Sequence, residues 1–141
     1  MAESTIPQAL IEAYQTTNFN VLTEPSFTLN IGKKSKEILE VFRMENHQAA
    51  AFITAWNPRS QETSKSENDN AQERLRSNLE TGNFTILDGL GIDPTGDWLG
   101  EPSVLVMGIS RNAASEIGIE FRQNAIVWIG KDGIPELVTL R

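Results

Sequence analysis

The feature that most constrains the fold of this sequence is a mostly apolar run over residues 49–56, which stops at Asn57-Pro58. Such a run is typical of a buried strand near the centre of a sheet. Proline has no N–H to give to a sheet, and the residue before it is biased toward extended geometry, so the strand ends there. The sequence therefore predicts a central strand with a turn directly after it.

A long hydrophilic helix is predicted after that turn. Ser64 and Glu67 fit a capping box, in which the two residues satisfy free backbone donors reciprocally, and Gly82 is a natural C-terminal stop. The helix carries one narrow apolar stripe, which two asparagines extend: Ala71, Leu75, Leu79, Asn68 and Asn78. We expect this helix to lie on the surface with one edge buried.

Weaker patterns predict three more helices and the remaining strands. The helices follow the capping residues Thr5, Ser35 and Ser110. The other strands are predicted over residues 19–22, 27–31, 84–87, 103–109, 125–129 and 135–140. The glycine-containing residues 88–102 are predicted to form the longest irregular stretch, and loops of such length are often functional.

These elements predict a single domain over residues 1–141, with an α/β fold at the boundary to α+β. We expect a sandwich in which about four helices flank a mixed β-sheet. Hairpin signals at residues 23–26 and at Asp132-Gly133 argue against an all-parallel sheet.

The composition narrows the classes of function. The net charge of −7 argues against nucleic-acid binding and against docking on anionic membranes, because both rely on clustered Lys and Arg. The chain has no cysteine, which excludes disulfides and thiolate sites and fits a reducing compartment. No apolar run approaches the roughly 20 residues that span a bilayer, and the first residues lack the features of a signal peptide. We expect a cytoplasmic protein.

The first candidate site lies just past the end of the predicted central strand and comprises Thr54, Asn57, Arg59 and Ser60. Ligands in open α/β sheets bind outside such strand ends, and the following helix adds free N–H groups and a partial positive charge. Arg59 can hold a carboxylate or phosphate through two parallel hydrogen bonds. The alternative is that Asn57 and Ser60 only build the turn. Arg59 would then pair with Glu62 or Glu67.

Further polar candidates are predicted near the same end of the sheet: Glu67, Asn68, Glu101, Ser103, Gln123 and Asn124. Asn68 either ties down the turn or faces a ligand, since a buried amide must be hydrogen-bonded. Glu101 either forms a structural pair with Arg59 or, in an open cleft, acts as a general base. Gln123 and Asn124 either line the site or cap the preceding helix.

The sequence indicates no cofactor and no metal site. Four acidic residues in the irregular stretch do not have the spacing of a calcium loop: Asp88, Asp93, Asp97 and Glu101. Gly89-Leu90-Gly91 lacks the rest of a dinucleotide or phosphate-loop fingerprint. His47, the single histidine, lies in a polar connection, and no nucleophile-elbow motif accompanies it. Trp56 and Trp98 can stack on a ligand, whereas Trp128 suits the core.

Four motifs in order along the chain resemble a family of small bacterial proteins known only as a domain of unknown function. The motifs are residues 51–60 (AFITAWNPRS), Glu67-Asn68, Glu101-Pro102-Ser103 and residues 121–128 (FRQNAIVW). The resemblance covers nearly the whole chain, including the opening Ile6-Pro7. It implies a compact standalone bacterial domain and carries over no activity, substrate or cofactor. It marks as polar signature positions Asn57, Arg59, Glu67, Asn68, Glu101, Ser103, Gln123 and Asn124.

Three hypotheses about function follow. The leading one is a non-catalytic binding or interaction module, whose polar site near residues 54–60 accepts an anionic small molecule or a peptide. The second is a small hydrolase or transferase, with Glu67 or Glu101 as base and Arg59 as anion holder. The third is a protein-partner module that uses an exposed sheet edge, for example to form a homodimer.

Overall fold

The computed structural model of the chain describes residues 5–95 and 100–141. Within these ranges the helices are α1 (Gln8–Thr16), α2 (Lys36–Glu45), α3 (Lys65–Thr81) and α4 (Arg111–Glu120). The strands are β1 (Asn18–Val21), β2 (Phe27–Leu29), β3 (Ala50–Ile53), β4 (Thr85–Ile92), β5 (Glu101–Met107), β6 (Ala125–Ile129) and β7 (Pro135–Thr139). The candidate metal ligand Asp97 and the candidate stacking residue Trp98 lie outside the described residues.

The seven described strands form one sheet in the order β2-β1-β4-β5-β3-β6-β7. The segment over residues 49–56 supplies β3, which pairs with β5 on one side and β6 on the other, so its central position is confirmed. The predicted fold class, α/β at the boundary to α+β with four helices, is also confirmed. The sheet differs from prediction in one respect, because all its described pairings are antiparallel rather than mixed.

Two interlocked β-α-β segments explain the antiparallel sheet. The strands β3 and β4, which α3 connects, run in the same direction, but β5 lies between them. The strands β5 and β6, which α4 connects, also share a direction, but β3 lies between them. Each pair that would be parallel neighbours in a simple β-α-β unit is thus separated by a strand of the other unit. Helix–strand alternation alone does not reveal this insertion.

The sheet curls, so that the segment after β2 reaches β7 at the opposite edge. Gly32 N–H donates to Pro135 O at 2.9 Å, and Ser35 N–H donates to Gly133 O at the same distance. The helix α2 packs on one face, where Ile38 and Phe42 join the buried apolar side chains of five strands.

The helices α3 and α4 cover the other face. Leu75 and Leu79 of α3 are fully buried there, as the apolar stripe predicts. Asn68 is buried on the same edge, whereas Asn78 is exposed and donates to Glu120 Oε2 at 3.2 Å. Trp128 is half-buried and packs against this cluster without being one of its buried members, so its predicted place in the core is met only in part.

Two element boundaries differ from prediction. The strand β4 continues through Gly89 and Gly91, so the predicted irregular stretch over residues 88–102 contributes to strands at both of its ends. Glycine is needed at position 89, because a Cβ there would lie 2.6 Å from Phe52 Cε2. The first helix is preceded by Pro7 and has no side-chain cap, so Thr5 does not have the predicted capping role.

Within residues 5–95 and 100–141, no helix combines the length and the apolar character that crossing a membrane requires.

Candidate functional site

The candidate site lies at one end of the sheet, where β3 ends and β5 and β6 begin. Two connections meet there: residues 54–60, which we call the 54–60 turn, and residues 121–124, which we call the 121–124 loop. The turn includes a short 3-10 segment, Pro58–Ser60. The strand predicted to reach residue 56 ends at Ile53, because side chains take over its backbone hydrogen bonds.

Thr54 and a glutamine from α3 hold the first part of the turn. Thr54 Oγ1 donates to Pro102 O at 2.7 Å and accepts from Trp56 N–H at 3.0 Å. Gln72 accepts from Ala55 N–H through Oε1 at 3.0 Å. The sequence interpretation missed Gln72, although its place beside the narrow apolar stripe of α3 marks it as an inward-facing polar residue. Both side chains therefore build the turn.

Asn68 ties the middle of the turn to α3. Asn57 N–H donates to Asn68 Oδ1 at 2.8 Å, and Asn68 Nδ2 donates back to Asn57 Oδ1 at 2.8 Å. Asn68 Nδ2 also donates to Thr63 O, and Thr63 N–H donates to Asn57 Oδ1. Asn68 is 2% exposed, and this network satisfies its amide. The structure thus favours the role of tying down the turn over that of facing a ligand.

The turn holds an unusual concentration of left-handed backbone. Asn57, Arg59 and Ser60 have φ values of 43°, 56° and 61°. Such conformations cost on the order of 1–3 kcal/mol each in residues other than glycine, and they persist where the surroundings over-determine them. Here Ser60 N–H donates to Asn57 O at 2.8 Å, and Arg59 N–H donates to Arg122 O at 2.7 Å.

The 121–124 loop is fastened to the turn by side chains as well. Gln123 Nε2 donates to Trp56 O at 3.4 Å, and Asn124 Nδ2 donates to Ser60 Oγ at 3.3 Å. Asn124 Nδ2 also donates to the Tyr14 hydroxyl at 3.0 Å, and that hydroxyl is hydrogen-bonded to Ser60 Oγ. Asn124 Oδ1 is buried and has no partner among the described residues. The sequence interpretation missed Tyr14, which lies on α1.

Two arginines project from the joined turn and loop. Arg59 and Arg122 are both exposed, and neither forms an ion pair within the described part of the chain. The predicted structural pairs of Arg59 with Glu62, Glu67 or Glu101 are therefore not formed. Arg122 was not among the predicted candidates.

Glu101 lies half-buried at the start of β5. Burial raises the pKa of its carboxyl from 4.5 to about 7, and a hydrogen bond with the Asn57 side chain works in the opposite direction. In the β4–β5 ladder the residue paired with Glu101 is Gly91. A carboxyl of this kind exchanges a proton near neutral pH, as a general acid or base must.

Two of the predicted site residues, Ser103 and Glu67, form their hydrogen bonds outside the 54–60 turn. Ser103 is buried, and its hydroxyl donates to Glu101 O in its own strand at 3.0 Å. Glu67 is exposed in the first turn of α3, where its N–H donates to Ser64 Oγ at 3.2 Å and so confirms Ser64 as the helix cap. Neither side chain has a hydrogen bond to the 54–60 turn among the described residues.

No group of three or more His, Asp or Glu side chains converges within residues 5–95 and 100–141. Asp88 forms an ion pair with Arg76, and Asp93 accepts hydrogen bonds from Thr95. Beside the turn, Trp56 lines an open groove of about 410 Å³ together with Gln72 and Pro102. The candidate stacking residues are Trp56 and Trp98, and of these two the structure describes Trp56.

A protein-family model matches the central part of the chain. The family model for DUF3293, a protein of unknown function, matches residues 53–126. This range spans the 54–60 turn, α3, β4, β5, α4 and the start of β6, and so contains every sequence-predicted site residue. The resemblance to a domain of unknown function is thereby confirmed. Neither the curated proteins nor the solved structures include a match to the chain.

Proposed function

We propose that this chain, which belongs to the DUF3293 family of proteins of unknown function, is a cytoplasmic, non-catalytic binding module. Its site is the 54–60 turn, and it accepts an anionic group of a small molecule or of a peptide. The observation that carries this proposal is the exposed Arg59, which has no ion pair among the described residues although the chain has a net charge of −7.

The polar side chains at the turn differ in their hydrogen bonding, and this difference supports the proposal. The side-chain amides of Asn57 and Asn68 and the side-chain oxygen of Gln72 form hydrogen bonds within the protein. Arg59 uses only its backbone N–H in this way, so its guanidinium group is available to solvent. We assign the buried amides to positioning and the Arg59 side chain to ligand contact.

The backbone of the turn supports the proposal independently. Three left-handed residues and the bond to Arg122 fix the direction in which Arg59 leaves the main chain. Strain of this kind is typical of ligand clamps, where the surrounding structure maintains a backbone that a free loop would not adopt. A preorganised site also loses less entropy when a ligand binds.

The test is a thermal-shift screen of the purified protein against phosphate, sulfate, carboxylates and short peptides. A ligand that binds only the native state raises the unfolding temperature by mass action. We expect at least one anion to do so, and Arg59→Gln to abolish the shift. The matched control is Arg74→Gln, which removes the same charge from an exposed arginine of α3 that has no ion pair in the described structure. Equal losses in both variants, or no shift with any anion, would contradict the proposal.

A second candidate function is favoured by one observation, the raised pKa of Glu101. In this alternative the chain is a small hydrolase or transferase, Glu101 moves the proton, and Arg59 holds the anionic part of the substrate. Glu67, the other predicted base, is exposed on α3 and has less support. A screen against chromogenic phosphate and carboxylate esters tests this alternative. Activity that Glu101→Gln removes and Glu67→Gln leaves intact would establish it in place of the binding module.

A third candidate, a partner module acting through a sheet edge, has less support. The edge strand β7 already accepts a hydrogen bond from Gly32 at Pro135 O, and the other edge strand, β2, has only three residues. Light scattering over a concentration series tests it, because an edge-paired homodimer would double the mass.

A further inference from the structure

Arg122 reaches the same place as Arg59 from a distant part of the sequence. We propose that Arg59 and Arg122 together hold a phosphate group, so that the ligand of the turn is a phosphate-bearing molecule and Arg122 determines that specificity. This inference rests on the proposed function, since it names the class of ligand for the same site.

The backbone brings the two arginines together. Arg59 N–H donates to Arg122 O at 2.7 Å, so their main chains are in direct contact. Both residues have left-handed conformations, with φ values of 56° and 57°. On either side of this bond, Gln123 is tied to Trp56 O and Asn124 to Ser60 Oγ. The two connections are therefore joined by three hydrogen bonds.

Both charges of this pair lack an ion pair among the described residues, as does the charge of Arg74, so the main-chain contact between them is what distinguishes the pair. The chain carries 12 Lys and Arg against 19 Asp and Glu, yet neither of these exposed arginines has a carboxylate partner among the described residues. Two like charges on adjacent backbones repel each other unless an anion lies between them or solvent screens them. A bound anion would relieve that repulsion.

A simpler reason exists for a cation at position 122. Arg122 follows the last turn of α4, where the partial negative charge of the helix end favours a positive side chain by about 0.3–1 kcal/mol. That effect stabilises the fold whether or not an anion is present. It does not explain the bond to Arg59, and it predicts no dependence on phosphate.

Phosphate suits two guanidinium groups better than a carboxylate does. A phosphate monoester carries a charge of about −1.5 to −2 at pH 7 and three strong acceptor oxygens, whereas a carboxylate carries one charge and two oxygens. Each guanidinium presents N–H donors in a planar fork that fits two oxygens of one phosphate.

The experiment is isothermal titration of the full chain with inorganic phosphate and with acetate, at pH 7 and constant ionic strength. The variants are Arg59→Gln, Arg122→Gln, the double variant and the control Arg74→Gln. Arg59→Lys and Arg122→Lys keep the charge and remove the planar fork. Thermal unfolding of each variant shows whether it is folded.

We expect phosphate to bind and acetate to bind at least about tenfold more weakly. Each Arg→Gln variant should lose about tenfold or more in phosphate affinity, as the loss of a charge-assisted hydrogen bond predicts. The double variant should lose less than the product of the two single losses, and Arg74→Gln should bind as the natural protein does. The lysine variants should lie in between.

Two other results separate the inference from the proposed function. If Arg59→Gln weakens anion binding but Arg122→Gln does not, the inference that both arginines hold a phosphate is wrong. The same follows if acetate binds as tightly as phosphate. In both cases the proposed anion site at the 54–60 turn is retained. If neither variant changes binding, or if Arg74→Gln weakens it equally, both proposals are wrong.

Discussion

Asn57 and Asn68 are joined by two hydrogen bonds, each 2.8 Å long. The peptide N–H of Asn57 donates to Asn68 Oδ1, and Asn68 Nδ2 donates to Asn57 Oδ1. The Asn57 side chain also hydrogen-bonds the Glu101 carboxyl, and Arg59 lies two residues further along the same turn. This pair is therefore the point at which the long helix, the strained turn and the half-buried carboxyl are connected. The predictions below concern this connection and the positions around it.

Asn68→Ala should destabilise the protein by about 2 kcal/mol or more, because it leaves buried donors and acceptors of the turn without partners. Chemical denaturation measures the change in the free energy of unfolding. The control is Asn70→Ala, an exposed position on the same helix, where we expect a change within about 0.5 kcal/mol. Equal effects at the two positions would show that the Asn57–Asn68 pair does not hold the turn.

Gly89→Ala should destabilise the protein by about 1–3 kcal/mol, the usual cost of overpacking. The new Cβ would lie 2.6 Å from the Phe52 ring, which contacts Phe19 edge-on. Gly91→Ala, two residues along the same strand, is the control. Its Cβ meets only Thr17 Cγ2, at 3.9 Å, so this variant should be neutral or slightly stabilised. If the Gly89→Ala variant were as stable as the Gly91→Ala variant, that result would contradict the close packing of Gly89 against the Phe52 ring.

Three of the four predicted capping residues cap a helix, and Thr5 does not. Ser35, Ser64 and Ser110 each accept the N–H of the third residue that follows, so three helices start where the sequence predicts. Such signals are local and depend on side-chain chemistry within one turn. Strand order is not local, because it depends on which segments lie between β3 and β4 and between β5 and β6. For that reason the α/β class was predictable and the antiparallel pairing was not.

The pH dependence of stability should reveal Glu101. Its pKa is raised on folding from 4.5 to about 7, so the native state binds the proton more tightly than the unfolded state between these values. The free energy of unfolding should therefore fall as the pH rises through this window, in total by roughly 3 kcal/mol. Below pH 4.5 this contribution is fully present, and above about pH 7 it is lost.

Glu101→Gln removes this titration and keeps a polar side chain of the same shape. We expect a flatter stability profile between pH 5 and 7 and a variant more stable than the natural protein at pH 8. Glu67→Gln, at an exposed position, is the control and should leave the slope unchanged. A slope that persists in Glu101→Gln would place the titrating group elsewhere.

Tyr14→Phe should cost about 1 kcal/mol, because it removes the hydroxyl that joins α1 to Ser60 and Asn124. A double-mutant cycle with Ser60→Ala measures the coupling between the two hydroxyls. The cycle with Ser66→Ala, an exposed serine in α3, should be additive within about 0.5 kcal/mol. Additivity in both cycles would mean that α1 is not anchored through Tyr14.

The candidate site was predictable only in part, as Asn68, Tyr14 and Arg122 illustrate. Asn68 was identified because it breaks an apolar stripe whose period is visible within one helix. Tyr14 and Arg122 contact the turn from distant segments, and Tyr14 meets Ser60 across 46 residues of sequence. No periodicity or capping rule connects such positions. The role of each predicted amide also depended on its partners, which only the fold supplies.

The most direct test of the central claim is an amide chemical-shift titration of the nitrogen-15-labelled chain with inorganic phosphate at constant ionic strength. Our account predicts that the amides of the 54–60 turn and the 121–124 loop shift together, with one dissociation constant. The amides along the exposed side of α3, around Arg74, should not move. Shifts scattered over the exposed Lys and Arg residues, or confined to α3, would contradict an anion site at the turn.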